Sequence, residues 1–122
     1  MTAASRREAL AHGQWAEGFV AQDLERRGFS ILARNWRGGG GELDLVALRE
    51  EHLCFVEVKS STRSAADPER LSAAQQRRLI SAAEAWLASA QVSPRELSLS
   101  VVLVSGEGDS ASLEWYSDAF DG

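Results

Sequence analysis

Glu57 and Lys59 stand two apart inside Phe55-Val56-Glu57-Val58-Lys59, and Asp44 stands inside Gly41-Glu42-Leu43-Asp44-Leu45-Val46-Ala47-Leu48. Both segments read as strands, and each carries charge where an apolar side chain would be expected. Side chains alternate faces along a strand, so Glu57 and Lys59 point the same way. If the two strands pair as a hairpin, Asp44 lies beside them. Two carboxylates and an ammonium converging on one sheet face form a site for a hard divalent cation and an activated water. The plainer alternative is a cross-strand salt bridge on a solvated face. Charges that interrupt buried strands favour the functional reading.

The elements that would position these residues can be read from periodicity. A helix is predicted over ~5–27, with Ala16, Phe19, Val20 and Leu24 on one apolar face and Gly28 as its stop. A first strand is predicted over ~29–36, and Gly38-Gly39-Gly40-Gly41 makes a tight turn into a second strand, ~42–48. A third strand follows over ~53–59, then a loop over 60–70. Ser72 with Gln75 fits a capping box for a second helix that runs to about Ser89, with Leu79, Ile80, Ala83, Trp86 and Leu87 on one face. Leu97–Val104 reads as a buried strand and Leu113–Tyr116 as a short edge strand. The order α-β-β-β-α-β-β implies an α/β fold with a mixed central sheet flanked by helices.

Length and charge narrow the classes. The 122 residues suit a single domain, 1–122. No apolar run approaches the ~20 residues of a membrane span, and Met1 to Gly13 is polar and helix-prone, so the expectation is a cytoplasmic protein with no membrane partner. Cys54 is the one cysteine, which rules out an internal disulfide. The net charge of −5 is concentrated: residues 97–122 hold five acidic side chains and no Lys or Arg. The rest is neutral, and 12 of its 13 basic residues are Arg, whose planar fork suits phosphate. His12 and His52 lack ligand spacing and read as surface residues, Trp86 and Trp115 as core anchors, and Trp36 as packed beside the glycine turn.

These segments resemble the PD-(D/E)xK nuclease superfamily, whose fold is restriction-endonuclease-like. Within it the chain looks like the YraN-like family of predicted endonucleases, which is similar to archaeal Holliday-junction resolvases. The resemblance spans about Gly13–Phe120. It is carried by Gly13-x-x-Ala16-Glu17, by Gly28-Phe29-x-Ile31-Leu32-x-Arg34-Asn35-Trp36-Arg37, by the two charged strands, by Arg77-Arg78-Leu79, by Ala82-Ala83 and by Ala119-Phe120. It implies Asp44 and Glu57 as ligands of Mg²⁺ or Mn²⁺, with the Val58 backbone carbonyl as a third donor. It implies Lys59 as the group that polarises water or offsets phosphate charge, and Glu17 as the helical acid near the metal. Glu42 is a further ligand, an acid behind the ligands, or a solvated residue near the turn. Arg34, Arg37, Arg63, Arg77 and Arg78 are candidates for holding DNA phosphates.

The chain departs from the family pattern at Ala16, at Ser60 and Ser61, at Gln75, and at Ser98-Leu99-Ser100, where a glycine, an Arg, a Lys and an Arg-Phe-Asp are usual. Two functions follow as expectations. One is a metal-dependent endonuclease acting on DNA, branched DNA included, in repair or recombination, with a homodimer suggested by the two symmetric cuts of a four-way junction. The other is a DNA-binding or protein-interaction module that retains the fold without catalysis. The lost polar positions imply either a weaker grip on DNA or a protein partner that supplies it.

Overall fold

The computed structural model describes residues 3–61, 72–106 and 108–117, with backbone alone at 3–12, 61 and 117. Helix α1 (Ala3–Arg26) leads into strands β1 (Ser30–Gly38), β2 (Gly41–Arg49) and β3 (His52–Ser61). Helix α2 (Ala73–Ser89), β4 (Glu96–Ser105) and β5 (Ser112–Ser117) follow. The expected order is present with one addition, a 3-10 turn at Gly108–Ser110. The strands form one sheet in sequence order. β1, β2 and β3 pair antiparallel, β3 and β4 pair parallel, and β4 and β5 pair antiparallel. α2 provides the crossover that a parallel pair requires. Among the described residues the result is a mixed α/β fold with a five-stranded sheet and two α-helices.

The helix ends follow their local chemistry. At the end of α1, Gly28 adopts φ 92°. Its amide donates to the Glu25 carbonyl at 3.0 Å, and the Phe29 amide donates to the Leu24 carbonyl at 3.0 Å. This is the paired bonding of a Schellman stop, and Phe29 and Leu24 complete it inside one apolar cluster. At the start of α2 the Gln75 amide donates to Ser72 Oγ at 3.1 Å, and the Ser72 amide donates to Gln75 Oε1 at 2.8 Å. The predicted capping box is therefore formed on both sides.

Two apolar layers clamp the sheet. On the α1 side, Ala16, Val20, Ala21 and Leu24 pack against Leu45, Ala47, Cys54, Val56, Val102 and Val104. On the α2 side, Leu79, Ala82, Ala83 and Trp86 pack against Leu43, Val46, Leu53 and Phe55. The face of α2 differs from expectation at one position. Ile80 is 38% exposed, and Ala82 is buried instead. The inward line runs Leu79, Ala82, Ala83, Trp86, the i, i+3, i+4, i+7 row of a helix, and Ile80 lies beside that row.

Three other expectations shift. β3 extends through Ser61, because its parallel ladder with β4 continues to Ser61↔Ser105, so Ser60 and Ser61 are strand rather than loop. The remainder of the predicted loop, with Arg63, lies outside the described residues, as do Ala119 and Phe120. Leu97 is 54% exposed, so the buried part of β4 begins only at Ser100. His52 is not a free surface group. Its Nε2 lies 2.8 Å from Ser98 Oγ, and its ring meets the edge of Phe29 at 5.8 Å.

The β1–β2 hairpin closes through Gly39 and Gly40, at φ 60° and 83°, between the paired Gly38 and Gly41. Two successive positive φ values are those of a type I′ turn, which glycine enters without steric cost. The tip then rests on α2. A Cβ on Gly39 would lie 2.5 Å from the Ser81 carbonyl, and one on Gly41 would collide with the Arg78 carbonyl. The Ser81 hydroxyl donates to the Gly39 carbonyl at 2.6 Å.

Candidate active site

The charged residues gather where the sheet forks. β2 and β3 pair from Arg49↔His52 up to Leu45↔Val56 and no further. Beyond that point β2 continues with β1 to Gly38↔Gly41, while β3 continues with β4 to Ser61↔Ser105. Asp44, Val58 and Lys59 lie just past the last rung. There the Asp44 carboxylate stands in for a lost ladder partner, and the Val58 amide donates to Asp44 Oδ2 at 2.8 Å. A hydrogen bond from the protonated Glu57 carboxyl to the Asp44 carboxylate lowers Asp44 and raises Glu57. Lys59 Nζ lies 4.0 Å from Glu57 Oε1, both side chains about three-quarters buried, at 26% and 22% exposed.

The fork is made by a roll in β1 and β2. Leu43 and Leu45 are both fully buried and, by alternation, should share a face. Leu45 packs on the α1 side and Leu43 on the α2 side. On β1, Ala33 and Trp36 are three apart yet both pack on the α2 side. Asn35 lies at the pivot, with φ 49°, the left-handed region in which asparagine is among the few tolerated non-glycine residues. It falls between the pairs Arg34↔Leu45 and Trp36↔Leu43, which puts it opposite Asp44. A β-bulge between Ile31 and Ala33 adds a further irregularity on the same strand.

Carboxylates crowd this pivot. Burial first, then the Asp44 charge, raise the Glu57 carboxyl to about 8, with Lys59 opposing. Burial also raises Asp44, against the Val58 amide that favours its ionised form. Glu17 on α1 is raised by burial and then by Asp44, while a hydrogen bond from Asn35 and the Arg34 charge act the other way. Glu42 adds to the repulsion on all three. These shifts share their causes, burial first and neighbouring negative charge after it.

Glu17, Glu42, Asp44, Glu57 and Lys59 thus form one electrostatic group, with Arg34 at its rim. Glu42 is turned toward Arg37, whose Nε donates to Glu42 Oε2 at 3.2 Å, and Arg37 is 82% exposed. Arg77 and Arg78 are exposed on α2, where the Arg78 backbone abuts the hairpin tip at Gly41. Among the described residues no group of three or more His, Cys, Asp or Glu side chains is arranged to hold a metal ion. The donors at the fork are two carboxylates and the neighbouring backbone of Val58. Asn35 is the residue to which sequence reasoning gave no role. Its signals were its place in the Gly28–Arg37 segment that carries the resemblance and its turn-favouring type in the middle of a strand.

Fold and site together define a small mixed α/β protein with a carboxylate pair and a lysine at a strand fork. The chain belongs to the UPF0102 family: the model described as "Uncharacterised protein family UPF0102" matches residues 16–104. That span contains Glu17, Asn35, Asp44, Glu57 and Lys59. A UPF0102 protein of Nitratidesulfovibrio vulgaris is 42% identical over 115 residues, covering 91% of this chain and 84% of its own. Relatives in Syntrophotalea carbinolica and Myxococcus xanthus are 37% and 36% identical, over 93% and 99% of this chain and 94% and 98% of their own. No helix among the described residues is long and apolar enough to cross a membrane.

Proposed function

We propose that this UPF0102 protein is a metal-dependent endonuclease of restriction-endonuclease-like fold that hydrolyses DNA phosphodiester bonds, branched DNA included. The observation that carries the reading is the fork itself. The Val58 amide donates to Asp44 Oδ2 at 2.8 Å, Lys59 Nζ lies 4.0 Å from Glu57 Oε1, and the two carboxyls stand side by side in a partly buried cleft. A solvated salt bridge would not bury its carboxylates or raise Glu57 to about 8.

The donor set fits a hard cation. It is oxygen only, and burial first, then the Asp44 charge, keep a proton on Glu57 up to about 8 until a counter-charge arrives. Mg²⁺ takes one or two carboxylates and retains several waters, so the absence of a third gathered carboxylate is no obstacle. Asp44, Glu57 and the Val58 carbonyl would hold the ion, with Glu42 in reserve behind its Arg37 pair. When bound, Mg²⁺ or Mn²⁺ supplies Lewis acidity at the phosphate and lowers the pKa of water.

The protein's own residues do the rest. The Val58 amide fixes the Asp44 carboxylate in one orientation. Lys59, kept close to Glu57, brings a positive charge to a cleft that would otherwise repel a phosphodiester. Arg34 stands at the Glu17 rim, Arg37 lies exposed on the hairpin, and Arg77 and Arg78 lie exposed on α2. Those arginines suit the phosphates flanking the cut.

The test is cleavage of labelled single strand, duplex, flap and four-way junction at low salt, with Mg²⁺, Mn²⁺ or EDTA. Metal-dependent cutting that is lost in Asp44→Asn protein purified in parallel supports the reading. A folded wild-type protein that cuts nothing across the panel overturns it in favour of a DNA-binding or adaptor module.

A further inference from the structure

The left-handed Asn35 is otherwise unexplained. A φ of 49° inside a β-strand costs an ordinary residue roughly 1–2 kcal/mol. Glycine is the usual solution and is abundant next door at Gly38–Gly41, yet the pivot carries a side chain. That side chain can do what glycine cannot. It lies at the register position opposite Asp44 and hydrogen-bonds Glu17 on α1. The donor is the carboxamide NH₂, since an ionised Glu17 only accepts. The strand roll and the helix are thereby joined at one residue. Without it Glu17, a half-exposed acid near other carboxylates, would be driven outward by repulsion.

We infer that Asn35 is a positioning residue, whose backbone makes the roll at the fork and whose carboxamide ties the Glu17 acid of α1 to the Asp44–Glu57 pair. The inference rests on the reading of this cluster as a metal-dependent hydrolytic site. Strained backbone persists where the surrounding structure over-determines it, and such strain gathers at functional sites. Partners that orient metal-site groups typically change affinity or activity by roughly 10- to 100-fold when removed.

The two parts of the role separate in two substitutions of the full-length chain. Asn35→Gly keeps the left-handed backbone and removes the carboxamide. Asn35→Ala removes the carboxamide and strains the roll as well. Thermal melting should show Asn35→Gly at least as stable as Asn35→Ala. Titration with Mn²⁺ should show Asn35→Gly weakened by about 10-fold or more, with no further loss when it is added to Glu17→Ala. Wild-type Mn²⁺ affinity in Asn35→Gly, or a loss that adds in full to that of Glu17→Ala, overturns the role. A separate arm follows the Asn35 side-chain NH₂ resonances in ¹H–¹⁵N spectra without metal. They should move in Glu17→Ala, and an unmoved pair overturns the tie. If the wild-type protein fails to bind Mn²⁺ while the resonances do move, the nuclease reading falls and the Asn35–Glu17 tie stands.

Discussion

Asp44 Oδ2 accepts the Val58 amide at 2.8 Å at the first position past the last β2–β3 rung. A carboxylate therefore does the work of a backbone carbonyl where two strands part. The bond also fixes the direction of a group that repels Glu57. Under the proposed function, structural and chemical roles of Asp44 are superimposed, and they can be separated by substitution.

Asp44→Asn retains an acceptor for Val58 and removes a like charge from Glu57. Asp44→Ala removes both, leaving a half-buried amide unpaired at a cost of about 1–3 kcal/mol. Urea unfolding in metal-free buffer at pH 8 should rank Asp44→Asn at least level with wild type and Asp44→Ala below Asp44→Asn. Equal stability of the two variants would mean that the amide finds another partner and that the bond is not structural. Under the proposed function, both variants lose Mn²⁺ binding and cleavage.

The pH dependence has a definite sign. The folded state holds the Glu57 proton up to about 8, against an ordinary value of 4.5. Below the ordinary value Glu57 is protonated in both folded and unfolded chains, and its contribution to stability is fully present. As pH rises toward 8 the unfolded chain ionises first, so the native state progressively loses that contribution. Asp44 and Glu17 are raised as well and act in the same direction. Melting temperature in EDTA should therefore fall between pH 5 and 8.5, and Glu57→Gln should flatten the fall. Under the proposed function, Mg²⁺ should restore stability more at pH 8 than at pH 5. A melting temperature that climbs with pH in EDTA would contradict the crowding of these carboxylates.

Much of this architecture was legible in the sequence, and the exceptions have physical causes. The capping box of α2, the glycine stop of α1 and the tight glycine turn between β1 and β2 are local devices, written in three or four adjacent residues. The element order follows from periodicity in the same way. The strand roll was hidden, because alternation assigns Leu43 and Leu45 to one face and only their packing against different helices shows them on opposite sides. Ile80 and Leu97 looked buried because they are apolar, but burial depends on which neighbour covers them. At the site, the types and spacing of Asp44, Glu57 and Lys59 suggested convergence in advance. The contribution of Asn35 depends on a backbone angle that no composition rule anticipates in a strand.

The hairpin tip offers a controlled comparison. Gly39 and Gly40 both have positive φ, so alanine is strained at either position. At Gly40 the added methyl meets nothing within 4 Å, while at Gly39 it meets the Ser81 carbonyl at 2.5 Å. Gly40→Ala should cost about 1–2 kcal/mol from backbone strain. Gly39→Ala should cost clearly more and also break the hydrogen bond from Ser81. Chemical denaturation of the two variants measures the difference, and equal losses would mean that the tip does not rest on α2.

The docked tip brings the Arg37 hairpin against α2 at Arg78, which makes the part proposed for these arginines in DNA binding measurable. Arg77 and Arg78 are exposed on α2, and Arg37 is exposed on the hairpin with one nitrogen engaged by Glu42. Removing a solvated arginine leaves the fold nearly unchanged, within about 0.5 kcal/mol. Under the proposed function, each arginine that touches a phosphate contributes about one unit to the slope of log affinity against log salt. Arg77→Ala and Arg78→Ala should each weaken binding to duplex and junction DNA alike and flatten that slope. Glu42→Gln frees the Arg37 fork from its carboxylate and should strengthen binding at low salt. Fluorescence anisotropy across a salt series, with catalysis silenced by Asp44→Asn, reads all three. Unchanged slopes in both Arg77→Ala and Arg78→Ala would remove the hairpin-side face of α2 from the DNA path and leave the Arg34 rim as the remaining candidate.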